Sequence, residues 1–308
     1  MASKVNKHIF VGGLPRSGTT LVQNLLNAHP QVYAGPEFDR IPNIVDLRNK
    51  LQRSLKAQRI DVYTTSAQID EEIRALISTL IEPLATKESY THLSEKTPWN
   101  ILFFNELLEL FPEAKFIMVL RNPLAVFNSM KNVAKKAKDQ QIIPPDFTQD
   151  YRMAAGYMEA VYKLHEEILH SYPDRVTLVR YEDFINHFES TAKELFSFLE
   201  VPWNDKVLRF YELDHPGEAT MTKKQIWYTS KQFKMNPAEV QSKAQLFEHL
   251  TYKERIFLQY LFRKNTFINR NQEYLQEPTL LEKAICRTIM PIYKRKFRFL
   301  NTPKRILN

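Results

Sequence analysis

A chain of 308 residues that is 44% hydrophobic and 12% aromatic can bury a core, which excludes wholesale disorder. Its single cysteine, Cys286, rules out an intrachain disulfide and a four-cysteine zinc site, and fits a reducing compartment. The formal charge of +8 belongs to one segment: Lys283–Asn308 holds eight Lys/Arg and no acid, leaving 35 basic and 35 acidic groups elsewhere, so no nucleic-acid partner is expected.

In chain order, His8–Val11 is a short β-rich run that enters a Gly/Pro/Ser loop, and Thr19–Asn27 reads as a helix. Ile41–Lys56 and Ala67–Thr86 have helical spacing, and a short strand is expected at Thr91–Leu93 before Glu95-Lys96-Thr97-Pro98. Ile101–Leu110 reads as a helix and Lys115–Leu120 as a buried strand. Pro123 suits the first position of a helix over Leu124–Lys136. Asp150–Ser171 is a long amphipathic helix, Val176–Val179 a strand and Ser190–Leu199 a helix; the remainder is mostly helical. Strands alternating with helices predict a parallel sheet covered on both faces. No apolar run approaches the ~20 residues of a spanning helix, and the N-terminus does not read as a signal peptide.

Three of the six glycines fall within seven positions, between a strand and a helix, in I-F-V-G-G-L-P-R-S-G-T-T-L (Ile9–Leu21). Such a loop turns backbone N–H groups toward one point, and the following helix N-terminus adds partial positive charge, which makes an anion cradle. Gly13–Thr20 almost spells the triphosphatase loop G-x-x-x-x-G-K-[ST], but Thr19 stands where the lysine would be and the cation is Arg16. The strand Lys115–Leu120 ends on Arg121, with no aspartate to hold Mg²⁺. The loop therefore suits fewer phosphates and no metal. A nucleotide kinase, or a non-catalytic nucleotide- or membrane-binding module, stands as the alternative.

Pro15–Leu21 (P-R-S-G-T-T-L) resembles the 5′-phosphosulfate loop of sulfotransferases that use 3′-phosphoadenosine 5′-phosphosulfate (PAPS). Val119–Met130 (V-L-R-N-P-L-A-V-F-N-S-M) resembles the 3′-phosphate site of the same family, with Arg121 at a strand end and Ser129 eight residues later. An Arg fork and a Ser hydroxyl near a helix start suit a phosphate. The resemblance is closest to the tyrosylprotein sulfotransferases and their bacterial relatives, over roughly residues 8–240. It implies a three-layer α/β/α P-loop-like fold with a central parallel sheet and a helix-rich C-terminal part. It also implies transfer of a sulfuryl group from PAPS, without a metal, to a hydroxyl acceptor: carbohydrate, lipid or peptide tyrosine. Carried over residue by residue, the family's catalytic base falls on Glu37. Lys96, Arg16 and Thr229 join it at the reaction centre. Nucleotide contacts fall on Arg16, Ser17, Gly18, Thr19, Thr20, Arg121, Ser129, Tyr181, Ser230 and Gln232.

The sequence departs from the family at two places: Asp39, with Arg40 alongside, stands for an acceptor-side arginine, and Val133 for an arginine near the 3′ site. Golgi members carry an N-terminal membrane anchor and luminal cysteines, and the lack of both here leads to the expectation of a cytoplasmic, bacterial relative. Plainer roles compete for several residues: a surface ion pair for Glu37, a solvated amine for Lys96, a helix cap for Thr19 and Thr20, core packing for Tyr181, a turn for Thr229 or Ser230. His29, a base candidate by analogy with other sulfotransferases, precedes Pro30 and suits a turn better. Glu95 and Asp39 are secondary acids. Residues 1–275 are expected to form the sulfotransferase domain, and 276–308 a basic amphipathic extension that lies on anionic membrane or packs on the body.

Overall fold

The computed structural model describes residues 7–85, 90–216, 226–228, 234–237, 248–265, 267–268 and 277–297. Five parallel strands, β1 (Lys7–Gly13), β2 (Val32–Ala34), β3 (His92–Lys96), β4 (Lys115–Leu120) and β5 (Val176–Arg180), form one sheet in the order β2-β3-β1-β4-β5. Helix α1 (Thr19–Asn27) joins β1 to β2. Helices α2 (Ile41–Lys56) and α3 (Ser66–Ile81) lead to β3, and α4 (Phe104–Leu110) leads to β4. Then come α5 (Pro123–Asp139) and α6 (Tyr151–Ser171) before β5, and α7 (Tyr181–Asn186), α8 (Phe188–Phe198), α9 (Tyr252–Phe262) and α10 (Leu280–Phe297) after it.

Side-chain alternation along the strands divides the core in two. Phe10, Phe116, Met118 and Leu120 pack on one face with α2 to α6 and α9. Ile9, Val11, Ile117, Val119 and Val179 pack on the other with α1 and α8. This is the expected three-layer α/β/α, P-loop-like fold. Because the strands are parallel, Gly13, Ala34, Lys96, Leu120 and Arg180 all end at one edge of the sheet, where ligands of open α/β sheets bind.

Several elements differ from the sequence reading. The helix expected over Ala67–Thr86 stops at Ile81, because Pro83 lacks the N–H that continuation requires and a 3₁₀ turn (Glu82–Leu84) replaces it. The helix expected over Ile101–Leu110 begins as a 3₁₀ segment, Pro98–Phe103, pressed so closely on β1 that a Cβ on Gly12 would lie 2.7 Å from the Ile101 nitrogen. Strand β3 runs on to Lys96, past the expected end at Leu93. Strand β2 and helix α7 were not foreseen.

Helix α10 rests on the body through Cys286, whose thiol reaches the Ile256 carbonyl at 3.5 Å, and Tyr293, whose ring packs on Phe257 and whose hydroxyl donates to Glu159. Side chains from residue 294 onward lie outside the described residues. Among the described residues, no helix is long and apolar enough to cross a membrane.

A buried arginine ties three helices together. Arg48 of α2 donates two bonds to Asp70 of α3, 2.7 and 2.8 Å, and one to Glu109 of α4, 2.7 Å. The Arg48 bond holds the Asp70 carboxyl below the usual aspartate value. Arg48→Ala is expected to cost about 2 kcal/mol in urea unfolding, below the range for a fully buried pair because Asp70 is partly hydrated. The Asp70 contribution is complete above the ordinary carboxylate pKa and disappears as pH falls through the depressed folded value. The wild-type advantage over the variant should therefore shrink on acidification.

A candidate active site at the carboxyl edge of the sheet

Tight geometry shapes the loop between β1 and α1. Gly18 caps α1 at φ 109°, and a Cβ there would lie 2.6 Å from the Tyr181 ring. Arg16 takes the left-handed φ of 74°, a conformation that β-carbon-bearing residues adopt only when their surroundings hold it. The reason here is its side chain: Arg16 Nε donates to Ser129 Oγ at 2.9 Å and Nη1 donates to the Trp227 carbonyl.

The two phosphate-type motifs meet at this point. Arg121 Nη1 donates to the Arg16 carbonyl at 3.1 Å, and its guanidinium lies 3.9 Å from the centre of the Tyr181 ring. Desolvation, and then the like charge of Arg121, bring the Arg16 guanidinium down to about 10, so it remains charged at neutral pH. Arg121 Nε and Ser17 Oγ are buried without a hydrogen-bond partner among the described residues. Two adjacent cations and two unsatisfied donors make a setting for an anion.

Next to them is a cavity of about 170 Å³ lined by Arg16, Thr19, Thr20, Glu37, Asp39, Lys96, Trp99, Trp227 and Tyr228, with Pro15 and Pro98. Lys96, at the end of β3, is only 3% exposed. Its ammonium donates to Glu37 Oε2 at 2.7 Å and to Tyr228 Oη at 3.0 Å, and Tyr228 donates its own proton to the same Glu37 oxygen. Desolvation pulls the Lys96 pKa down, but Glu37 and Tyr228 together outweigh it and hold it above the ordinary lysine value. Burial pushes the Tyr228 phenol up to about 12 against the pull of Lys96.

A clamp of buried polar groups holds Glu37 in place. Gln23 of α1 donates to the Gly35 carbonyl at 3.0 Å and to the Ser94 carbonyl at 3.1 Å, which ties the loop to β3. Glu95 accepts from Asn100 Nδ2 (2.6 Å), Thr97 Oγ1 (2.8 Å) and the Phe38 N–H (3.2 Å), while Thr97 Oγ1 also accepts from the Asp39 N–H (3.1 Å). That last bond supports Asp39 at φ 62°. Burial, followed by the charge of Glu37, raises the Asp39 carboxyl.

The structure thus brings Arg16, Thr19, Thr20, Glu37 and Lys96 to one cavity, and Ser17, Gly18, Arg121, Ser129 and Tyr181 together around the adjoining Arg16–Arg121 cluster. Thr229, Ser230 and Gln232 lie outside the described residues. Val133 is buried. His29 is not in the cavity lining: Nδ1 accepts from the Gln31 N–H at 3.2 Å, which leaves Nε2 to donate to the Pro202 carbonyl at 2.8 Å, so the ring closes the turn from α1 to β2. The sequence reading missed Gln23, Trp99, Trp227 and Tyr228. Only Tyr228 had a local signal, its place beside Thr229, which the family resemblance assigns to the reaction centre.

The sulfotransferase family profile matches residues 8–205. A protein-tyrosine sulfotransferase of Drosophila melanogaster is 32% identical over 219 residues, 70% of this chain and 42% of the relative. Protein-tyrosine sulfotransferase 1 of Danio rerio is 32% identical over 207 residues, 67% of this chain and 56% of the relative. The chain spans about half the length of these curated relatives. Among solved structures, the sulfotransferase domain from the curacin biosynthetic pathway is 22% identical with a TM-score of 0.48, covering 68% of this chain and 79% of that one.

Glu95 offers a direct check on the clamp. Desolvation, opposed by its three hydrogen bonds, raises its carboxyl to about 7. The folded state therefore holds a proton that the unfolded chain releases near 4.5, and stability should fall as pH rises between those values. Glu95→Gln, which cannot ionise, should remove this slope. Urea unfolding from pH 4.5 to 7.5 should show the wild type losing about 3 kcal/mol relative to the variant.

Proposed function

The chain belongs to the sulfotransferase family, and from that premise we propose that it transfers the sulfuryl group of PAPS to the hydroxyl of a carbohydrate, lipid or peptide-tyrosine acceptor, with Glu37 as general base. One observation carries the reading: the Glu37 carboxylate and the Lys96 ammonium, 2.7 Å apart, share a cavity with Arg16, Thr19 and Thr20 of the anion loop. A group that removes a proton and groups that stabilise charge therefore surround one small volume.

The residues fit the donor. Arg121 Nε and Ser17 Oγ are buried donors without a partner among the described residues, and Arg16 and Arg121 lie close enough for their charges to interact, a setting that suits a phosphate-bearing nucleotide. In this reading Arg121, Ser129 and Tyr181 hold the 3′-phosphate end and Ser17 to Thr20 hold the 5′ end. Sulfuryl transfer needs the attacking oxygen, sulfur and leaving oxygen in line, so most of the catalysis is positioning and charge stabilisation. Glu37 takes the acceptor proton as the new O–S bond forms. Lys96 and Arg16 offset charge on the sulfuryl oxygens and the departing phosphate. Trp99 and Trp227 at the cavity wall support a ring-bearing acceptor, phenol or sugar. The reading includes a cytoplasmic setting, which the lone buried cysteine supports, and peripheral contact of the basic C-terminal segment with anionic lipid.

Glu37→Gln is expected to bind adenosine 3′,5′-bisphosphate with near-normal affinity in calorimetry while turnover of radiolabelled PAPS on a panel of phenolic, sugar and lipid hydroxyls falls by ~10²–10⁴. Because the change leaves the Lys96 ammonium without its counter-charge, turnover should be read well below the variant's melting temperature. Full activity on an ordinary high-pKa hydroxyl would remove Glu37 from the role. Arg121→Ala should weaken the bisphosphate by ~10-fold or more and leave an analogue lacking the 3′-phosphate nearly unaffected. Equal losses for both ligands would refute a 3′ contact.

A further inference from the structure

Tyr228 occupies a position that the proposed reaction does not explain. It is 4% exposed, its hydroxyl donates to Glu37 Oε2, and that hydroxyl's own oxygen accepts from Lys96 Nζ at 3.0 Å. An acceptor awaiting transfer must meet the same demands. Its O–H must point at the base, and its oxygen must lie beside the cation that stabilises the transferring group. Tyr228 also lines the cavity together with Arg16, Thr19 and Thr20 of the anion loop. We infer that Tyr228 is a built-in acceptor mimic: it holds the acceptor-hydroxyl position and is itself a sulfation site, modified in cis by the chain that carries it.

The surroundings support this. The backbone next to Tyr228 is fastened at both residues: the Trp227 carbonyl accepts from Arg16, and the Tyr228 carbonyl accepts from Lys136. The hydroxyl is therefore presented to Glu37 from a fixed direction, without the entropy cost that a free acceptor meets on entering. The phenol, pushed up to about 12, keeps its proton at neutral pH, which is the state a general base needs to find. The step balances. The phenolic oxygen forms a bond to the sulfur of PAPS, and the bond from sulfur to the 5′-phosphate oxygen breaks. The phenolic proton passes to Glu37, and adenosine 3′,5′-bisphosphate leaves. An external acceptor must displace the same hydroxyl, so Tyr228 competes with it.

The inference rests on the sulfotransferase reading above, and the experiment separates the two. The full chain is incubated with ³⁵S-labelled PAPS, first without acceptor and then with phenol, and sulfotyrosine is mapped by mass spectrometry under conditions that preserve the sulfate ester. Label is expected on Tyr228, approaching one group per chain, and absent from that position in Tyr228→Phe. Glu37→Gln should slow the labelling by at least 10²-fold. Tyr228→Phe, which keeps the ring and its packing, should show a several-fold lower KM for phenol because the competing hydroxyl is gone. Turnover of phenol with no label on Tyr228 overturns the inference and leaves the enzymatic reading intact. Label on other tyrosines alone overturns it as well. Failure to transfer to any hydroxyl, internal or added, overturns both. The wild-type mapping decides the matter even if the phenylalanine variant folds poorly.

Discussion

The burial of one ammonium group governs the site. Lys96 ends β3 inside the protein, and an uncompensated charge there would be costly, so a carboxylate must come to it. Glu37 meets that requirement from a loop after β2, and the course of residues 35–39 follows from it. Gly35 is fixed by Gln23, Phe38 by Glu95 and Asp39 by Thr97, each bond directing the chain back over the end of β3. Asp39 accepts a left-handed backbone within this arrangement. The same pair that satisfies an electrostatic demand of folding therefore sets a carboxylate beside a cation in the cavity lining, so a change at either residue alters stability and the cavity's charge together.

Contiguous features were legible in the sequence, and features assembled from distant segments were not. The loop Gly12–Thr20 could be read because its glycines and the following helix are adjacent in the chain, α2 because its apolar spacing runs over 16 residues, and β4 because it is one unbroken apolar run after Lys115. Strand β2 has three residues and α7 six, too few for a period to emerge. Glu37 and Lys96 came from family resemblance; nothing in the spacing says that residues 59 positions apart form a salt bridge, or that Arg16 reaches Ser129 across 113. Gln23 reads as one polar residue on an amphipathic helix, yet it is buried and joins two strand-end segments.

Glu95 and Lys96 show how neighbouring residues on one strand can be buried on different terms. The lysine is compensated by a full opposite charge and stays ionised. The glutamate is surrounded by neutral donors, Asn100, Thr97 and the Phe38 amide, which offset only part of the cost of desolvation. Its proton is therefore loosely held near neutrality, with Glu37 as a like charge close by. A carboxyl in that state couples the loop that carries Glu37 to the ambient proton concentration, although Glu95 does not line the cavity.

The central position of β1 has a consequence for the order in which the molecule assembles. Its two neighbours in the sheet come from far along the chain: Lys7 pairs with His92 and Ile9 with Lys115. Parallel pairing of this kind must close long loops before it gains any contacts, which makes folding slow relative to that of locally connected structures. A segment that ends with α1 therefore carries the entire glycine loop yet lacks the neighbours that shape it. The close approach of Gly13 to the Val119 carbonyl, and of Gly18 to Tyr181, exists only after β4 and the segment beyond β5 have been synthesised and docked. Any ligand that the loop were to hold would accordingly meet the completed sheet and not a local turn, and its binding energy would stabilise the cooperative unit as a whole.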